Sequence, residues 1–296
     1  MTTLDVTDLF CKIDDFFLPA LTSAKITRTP SLHPSEIATI LNLFSQSHYD
    51  SLKHFYLEQI LDGNFKSYFP HAVSYKWFNQ LIPTALLPLC LSLDKHRGEE
   101  TGLYVVDSSA IEVCHIKRAS SHKVFKGFAS KSKSTKGWFF GFKLHLLINH
   151  IGELMSFKIS PATTDDRKTV LSLAEGLIGL LLGDRGYISE KLKKILNSMG
   201  LKLMTKLRKN MKKTQSEEEE IMLKKRGLVE SVLNILKSYF KIEHTRHRNP
   251  LHAFINILSG LLAYQMSPKK PCMKGVEITK QSLLDDPNAG IVMLAA

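Results

Sequence analysis

Two short apolar runs that each lead into an aspartate constrain this chain more than any other feature. Residues 103–106, Leu-Tyr-Val-Val, run into Asp107, and the almost purely aliphatic residues 177–182 run through Gly183 into Asp184. Short apolar runs bounded by Gly, Ser or Asp suit buried strands, since a helix needs about ten or more residues of 3.6 periodicity. Helical patterns follow at residues 167–175 and 189–199. Strands alternating with helices imply an α/β fold with a mixed sheet, in which ligands gather beyond the carboxyl ends of strands. Asp107 is expected at a strand end, near a sheet rim, and Asp184 repeats the pattern. An aspartate after a strand also suits capping of the next turn, so neither residue defines a site alone.

Residues 137–148 read as a long aromatic and aliphatic strand, and 153–160 as a shorter one after a turn at 150–152, together a hairpin beside the first strand. Consecutive aromatics in a strand pack on the two faces of a sheet, and Trp138, Phe139 and Phe140 are expected to do so rather than stack on bases. Asp165 and Asp166 suit the cap and first turn of the helix at 167–175. A strand at 201–207 is followed by a polar segment, 208–220, expected to be mobile. From 227 to 240 the apolar positions Val229, Val232, Leu233, Leu236 and Phe240 form one stripe, with Arg226, Glu230 and Lys237 along its flank. Glu230 can lean inward there, although a plain i,i+4 pair with Arg226 accounts for it equally.

The first hundred residues read as helical, with segments at 35–44 and 50–60 joined by a polar turn and further segments at 74–81 and 84–93. The first pair is compatible with a helix-turn-helix and equally with a plain helical hairpin. The charged residues 94–100 mark a boundary. The expected organisation is a helical region over 1–100, an α/β domain over 101–266 and an extension over 267–296 without fixed structure.

Charge narrows the partner. The 296 residues carry a formal net charge of +12, which favours a polyanion through counterion release. Residues 113–152 contain no Asp or Glu while holding Lys117, Arg118, Lys123, Lys126, Lys131, Lys133, Lys136 and Lys143. A second acid-free stretch, 191–216, includes Lys206, Arg208 and Lys209. Two such stretches around the same aspartates favour nucleic acid over a merely solvated surface. Cys11, Cys90, Cys114 and Cys272 are scattered without metal or disulfide spacing, which fits a reducing cytoplasm. No basic leader opens the sequence and no apolar run spans a bilayer, so no membrane role is expected. Three carboxylates from two strand ends and a helix flank suit a hard cation such as magnesium, whose ligands are oxygens.

The runs Tyr104-Val105-Val106-Asp107-Ser108, Phe125-Lys126-Gly127-Phe128-Ala129-Ser130-Lys131, Gly137-Trp138-Phe139-Phe140-Gly141-Phe142-Lys143-Leu144-His145 and Gly183-Asp184-Arg185-Gly186-Tyr187 resemble DDE transposases of bacterial insertion sequences, nearest to insertion sequence family 982. The resemblance continues through residues 205–211 and 243–248 and covers roughly 34–270. It implies a ribonuclease-H-like catalytic domain preceded by a helical DNA-binding region. It also implies an enzyme of DNA transposition that cuts and joins double-stranded DNA at its element's terminal inverted repeats and in target DNA. Two Mg2+ ions, replaceable by Mn2+, would be held by Asp107, Asp184 and Glu230, which match the family's two aspartates and glutamate; Glu243 is the alternative third carboxylate. DNA contacts are expected from Lys126, Lys131, Lys133, Lys136, Lys206, Arg208, Lys209, Arg246, His247 and Arg248. The implied setting is a homo-oligomer on DNA in the bacterial cytoplasm, at the nucleoid. An inactive or domesticated copy that only binds DNA, or another ribonuclease-H-like nuclease, remains open. Residues beyond 270, where such chains usually stop, depart from the family pattern.

Overall fold

The structure, a computed structural model, describes residues 5–21, 31–135, 137–207, 216–243, 247–278 and 291–293. One unit consists of Met1–His96 with Leu236–Ser267, and the other of Arg97–Ile235 with Pro268–Ala296.

Helices α1 (Val6–Leu21), α2 (Pro34–Gln46), α3 (Leu52–Phe55), α4 (Tyr75–Leu81) and α5 (Leu86–Lys95) open the first unit. Helix α2 is a core helix: Ile37, Ala38, Ile40, Leu41 and Leu43 are buried, and so are Thr39 and Asn42 on its polar positions. Helix α3 passes after one turn into a π-helical segment, Tyr56–Leu61, in place of the regular second helix expected at 50–60. Tyr56 anchors that segment, stacking on Phe78 with ring centroids 4.2 Å apart and donating its hydroxyl to Val73 O. Lys53 and His54 of α3 stay exposed.

The second unit is built on a mixed six-stranded sheet: β1 (Leu103–Cys114), β2 (Ser130–Ser134), β3 (Gly137–Asn149), β4 (Leu154–Pro161), β5 (Gly179–Gly183) and β6 (Leu201–Thr205). Strand β3 is the template. One of its edges is shared by β2 and β4, and the other pairs antiparallel with β1 from Tyr104 opposite Asn149 to Cys114 opposite Phe140. Strand β1 does not end at Asp107, as its polar continuation Ser108-Ser109 led us to expect. The long β3 supplies hydrogen-bond partners up to Cys114, while on the other edge the parallel ladder with β5 stops at Val105 opposite Leu182. Asp107 therefore lies mid-strand, where one ladder ends. Side chains alternate between faces, and paired residues share one. Tyr104, Val106, Leu147, Leu181 and Leu203 join Val170 and Leu173 of α6 (Asp166–Leu173) and Leu192 and Leu196 of α7 (Glu190–Ser198) in one core.

After β6 the chain forms α8 (Glu217–Lys225) and α9 (Gly227–Ser238). Residues 216–220 were expected in a mobile segment but start a helix. Ser216 caps it by accepting from Glu219 N–H, and Met222 and Leu223 give it a buried side. The last long helix, α10 (Pro250–Gln265), packs with α2 and α5 and belongs to the first unit, whereas the expected 101–266 domain grouped it with the sheet. The expected structureless extension also holds packed residues: Met273 and Val276 are buried, Met273 N–H donates to His150 O at 2.8 Å, and β7 (Val276–Ile278) pairs with β8 (Ile291–Met293). Among the described residues no helix is long and apolar enough to cross a membrane.

Candidate active site

Register sets two carboxylates side by side. Val105 and Leu182 are partners in the parallel ladder. Two residues on from each stand Asp107, within β1, and Asp184, just past the end of β5 in extended backbone, close enough for the charge of Asp184 to act on the Asp107 carboxyl. Asp184 also caps the 3₁₀ turn Arg185–Tyr187, its Oδ1 accepting from Gly186 N–H at 2.7 Å. The flanking glycines make room. A Cβ on Gly183 would stand 3.1 Å from the buried Tyr187 ring, and one on Gly186 only 2.9 Å from Asp184 Oδ1. Gly186→Ala must therefore push the tip of a flexible side chain rather than the backbone. We expect its thermal unfolding to be unchanged and, for the DNA cleavage that the resemblance implies, a fall of about a hundredfold, the order reached by ångström-scale misplacement. Unimpaired cleavage would show that Asp184 does not act from this position.

The third carboxylate arrives through an arginine. Arg226 ends α8 and Glu230 sits in the first turn of α9, one turn further on. The i,i+4 pair is present, with Arg226 Nη2 2.7 Å from Glu230 Oε1, but the guanidinium also reaches Asp107, Nη1 lying 3.1 Å from Oδ2. Arg226 is largely buried, so this fork ties the helix to β1. Glu243 is engaged elsewhere, 3.0 Å from Lys237.

Burial pushes the Asp107 carboxyl up to about 6, and the charges of Asp184 and Glu230 add to this, against the opposing pull of Ser108 N–H and Arg226. A carboxyl raised by folding holds its proton more tightly in the folded than in the unfolded chain. Its contribution to stability is thus full below about pH 4 and is lost as pH rises through about 6. Asp107→Asn removes the charge. It should stabilise the protein by about 2 kcal/mol at pH 8 and hardly at all at pH 4, read as a midpoint shift of several degrees in thermal scans. Equal shifts at both pH values would refute the charge argument.

Oxygen-only donors are what hard divalent cations take, and the positive guanidinium between Asp107 and Glu230 marks where a cation is favoured. Among the described residues no three His, Cys, Asp or Glu side chains are drawn tightly enough together to hold a metal ion. With Arg226 between them, Asp107 and Glu230 hold a cation already.

Around this centre the sheet buries further polar groups. Lys143 Nζ lies 2.9 Å from Asp166 Oδ1, and fully buried His145 contacts Ser160 Oγ at 2.7 Å and Thr169 Oγ1 at 3.2 Å. Burial lowers His145 to about 4, so it is neutral at physiological pH. Tyr187 is buried near Asp107 and Asp184, and desolvation raises its hydroxyl. Sequence reading missed Arg226 as a bridge and Tyr187 as a neighbour; only the Arg-x-x-x-Glu spacing signalled the first. Of the basic residues, Lys126, Lys131, Lys133 and Lys206 are exposed in the sheet unit. In the helical unit His247 and Arg248 precede α10 and, with Lys53, Asn79 and His252, line a cleft of about 610 Å³. Lys136, Arg208, Lys209 and Arg246 lie outside the described residues.

A mixed sheet whose strands deliver paired aspartates, with a glutamate linked from a following helix, defines a class that comparison with known proteins makes specific. Residues 97–250, 154 of the 296, match the family described as the transposase DDE domain, and the chain belongs to that family. It is thus a protein of DNA transposition. Among solved structures it is similar to the piggyBac transposase, seen by cryo-electron microscopy in a synaptic complex with hairpin DNA, with a TM-score of 0.50 and 9% identity over 88% of this chain and 72% of that one. That likeness is one of fold. The Mos1 mariner paired-end complex with Mn aligns over 87% of this chain and 88% of that one at 11% identity, but its TM-score of 0.25 is too slight to bear on the fold. No curated protein matches the chain.

Proposed function

We propose that this chain is the transposase of an insertion sequence of family 982, cutting double-stranded DNA at its element's terminal inverted repeats and joining the ends to target DNA. The observation that carries this reading is the strand register that sets Asp107 beside Asp184, with Glu230 joined to them through Arg226. In this reading Asp107, Asp184 and Glu230 are the residues that would hold two Mg2+ ions, with Mn2+ able to substitute, and bound ions would supply activation of a water or 3′ hydroxyl and stabilisation of the leaving oxygen at phosphorus. The chain's own residues do the rest. Asp107, half sunk in the sheet, offers a poorly solvated carboxylate that gains by taking a cation. Arg226, a planar fork of donors, suits a non-bridging phosphate oxygen as well as a carboxylate. Exposed Lys126, Lys131, Lys133 and Lys206, and His247 and Arg248 in the helical unit, with Lys136, Arg208, Lys209 and Arg246, supply phosphate contacts that position the duplex. The helical unit is the natural holder of the duplex, and the working form is a homo-oligomer on bacterial nucleoid DNA in the cytoplasm.

The test is incubation of the purified protein with supercoiled DNA carrying the element's ends. Nicking and strand transfer should require added Mg2+ or Mn2+ and cease with chelator. Tight binding without cleavage in either metal would instead identify a copy that only binds DNA.

A further inference from the structure

One tryptophan is left uncovered where its neighbours are packed. Phe142, Phe140 and Trp138 occupy alternate positions of β3 and so share a face, the same one as Leu146 and its partner Asp107. The segment between β1 and β2 folds over this face. Phe125 packs edge-on against Phe142 with centroids 5.7 Å apart, His122 packs against Phe140 at 6.1 Å, and the two covering rings stack on each other. Phe140 and Phe142 are buried as a result, but the cover stops short of Trp138, which is 62% exposed. The expectation that all the aromatics here would pack holds for Phe139 and Phe140 and fails for Trp138.

What surrounds the indole is cationic. Strand β2 places Lys133 directly opposite Trp138 and Lys131 opposite Phe140, both on the indole's face and both exposed. No acidic residue occurs between Glu112 and Glu153. Phe128, in the covering segment, is a second exposed ring. The Ser-Lys-Ser-Lys-Ser pattern of β2 disfavours addition of a protein strand at this edge. An indole flanked by lysines, by contrast, fits a base stacked on its face with the backbone phosphates held alongside. A duplex hides its base faces, so the occupant is unpaired. Leu146 and Trp138 are eight residues apart, about 27 Å of strand.

We propose that Trp138, with Lys131 and Lys133, is a stacking platform for single-stranded DNA on the same sheet face as Asp107. This rests on the reading that DNA is the substrate. The chain has two tryptophans, Trp77 and Trp138, so in a Trp77→Phe background fluorescence reports on Trp138 alone. Short single-stranded oligothymidylate should quench it. Trp138→Ala should weaken single-strand binding about tenfold while leaving duplex affinity and thermal unfolding unchanged, and Trp138→Phe should restore most of the loss. Duplex binding by the wild type with no quenching by single strands refutes the platform alone. So does an equal loss of single-strand and duplex affinity in Trp138→Ala. A wild-type protein that binds neither DNA refutes the underlying reading instead.

Discussion

Alanine at Asp107, Asp184 or Glu230 is expected to abolish metal-dependent nicking and strand transfer, each change costing more than about a thousandfold in rate, or about 4 kcal/mol of transition-state stabilisation. Binding to element ends should survive or tighten, because each substitution removes a negative charge from a site that phosphate must approach. Asp107 is the most informative of the three. Its carboxyl is largely buried and stands in the field of both other carboxylates, so its loss relieves repulsion as it removes a ligand. Catalysis and binding should separate in gel-shift and cleavage assays on the same preparations. Glu243→Ala is the internal control, since Glu243 pairs with Lys237, and it should cleave. If Glu243→Ala is dead and Glu230→Ala active, the third ligand is misassigned. If Asp107→Ala cleaves normally, the metal mechanism itself falls.

The second large effect is on affinity. With a net charge of +12 and two acid-free basic stretches, binding to DNA should weaken by about 10³ to 10⁵ between 50 and 200 mM salt, as it does for about six to ten phosphate contacts. Lys131 and Lys133 stand exposed on one face of β2. Replacing both with Ala should therefore shallow the log-log slope by about 1.8, roughly 0.9 per phosphate contact. A flat salt response would remove the electrostatic argument altogether, whereas an unchanged slope in the double variant would exonerate β2 and point to the other basic stretch.

The sheet's strands were legible in the sequence because apolar runs such as Leu180-Leu181-Leu182 are buried on both faces and leave a continuous signal. Helix α9 was legible by its stripe. What local pattern could not supply was anything set by a partner distant in sequence. Ser108 and Ser109 look like a strand's end, yet they continue β1 because β3 pairs with them. Residues 217–220 look like a solvated acidic run, yet Met222 and Leu223 just beyond turn them into a helix start. Periodicity assigns Trp138 to a face but does not say how far the covering segment reaches. The site divides in the same way. Asp107 and Asp184 were visible as carboxylates following apolar runs, while their nearness needed the strand register. Arg226 as the bridge needed the coordinates of two elements 119 residues apart.

The division of the chain also bears on how it is made. Helix α9, which carries Glu230, crosses from one unit to the other between Ile235 and Leu236, and α10 beyond it completes a unit begun by the first 96 residues. On the ribosome α1 to α5 emerge first but wait for their last helix until the whole sheet has been synthesised. Closing that unit is a contact of high sequence separation, slow by its loop-closure entropy. A fragment ending at His96 would expose the apolar surfaces of α2 and α5 that α10 covers. The helical unit is therefore completed only after the whole sheet, with Asp107 and Asp184, has left the ribosome.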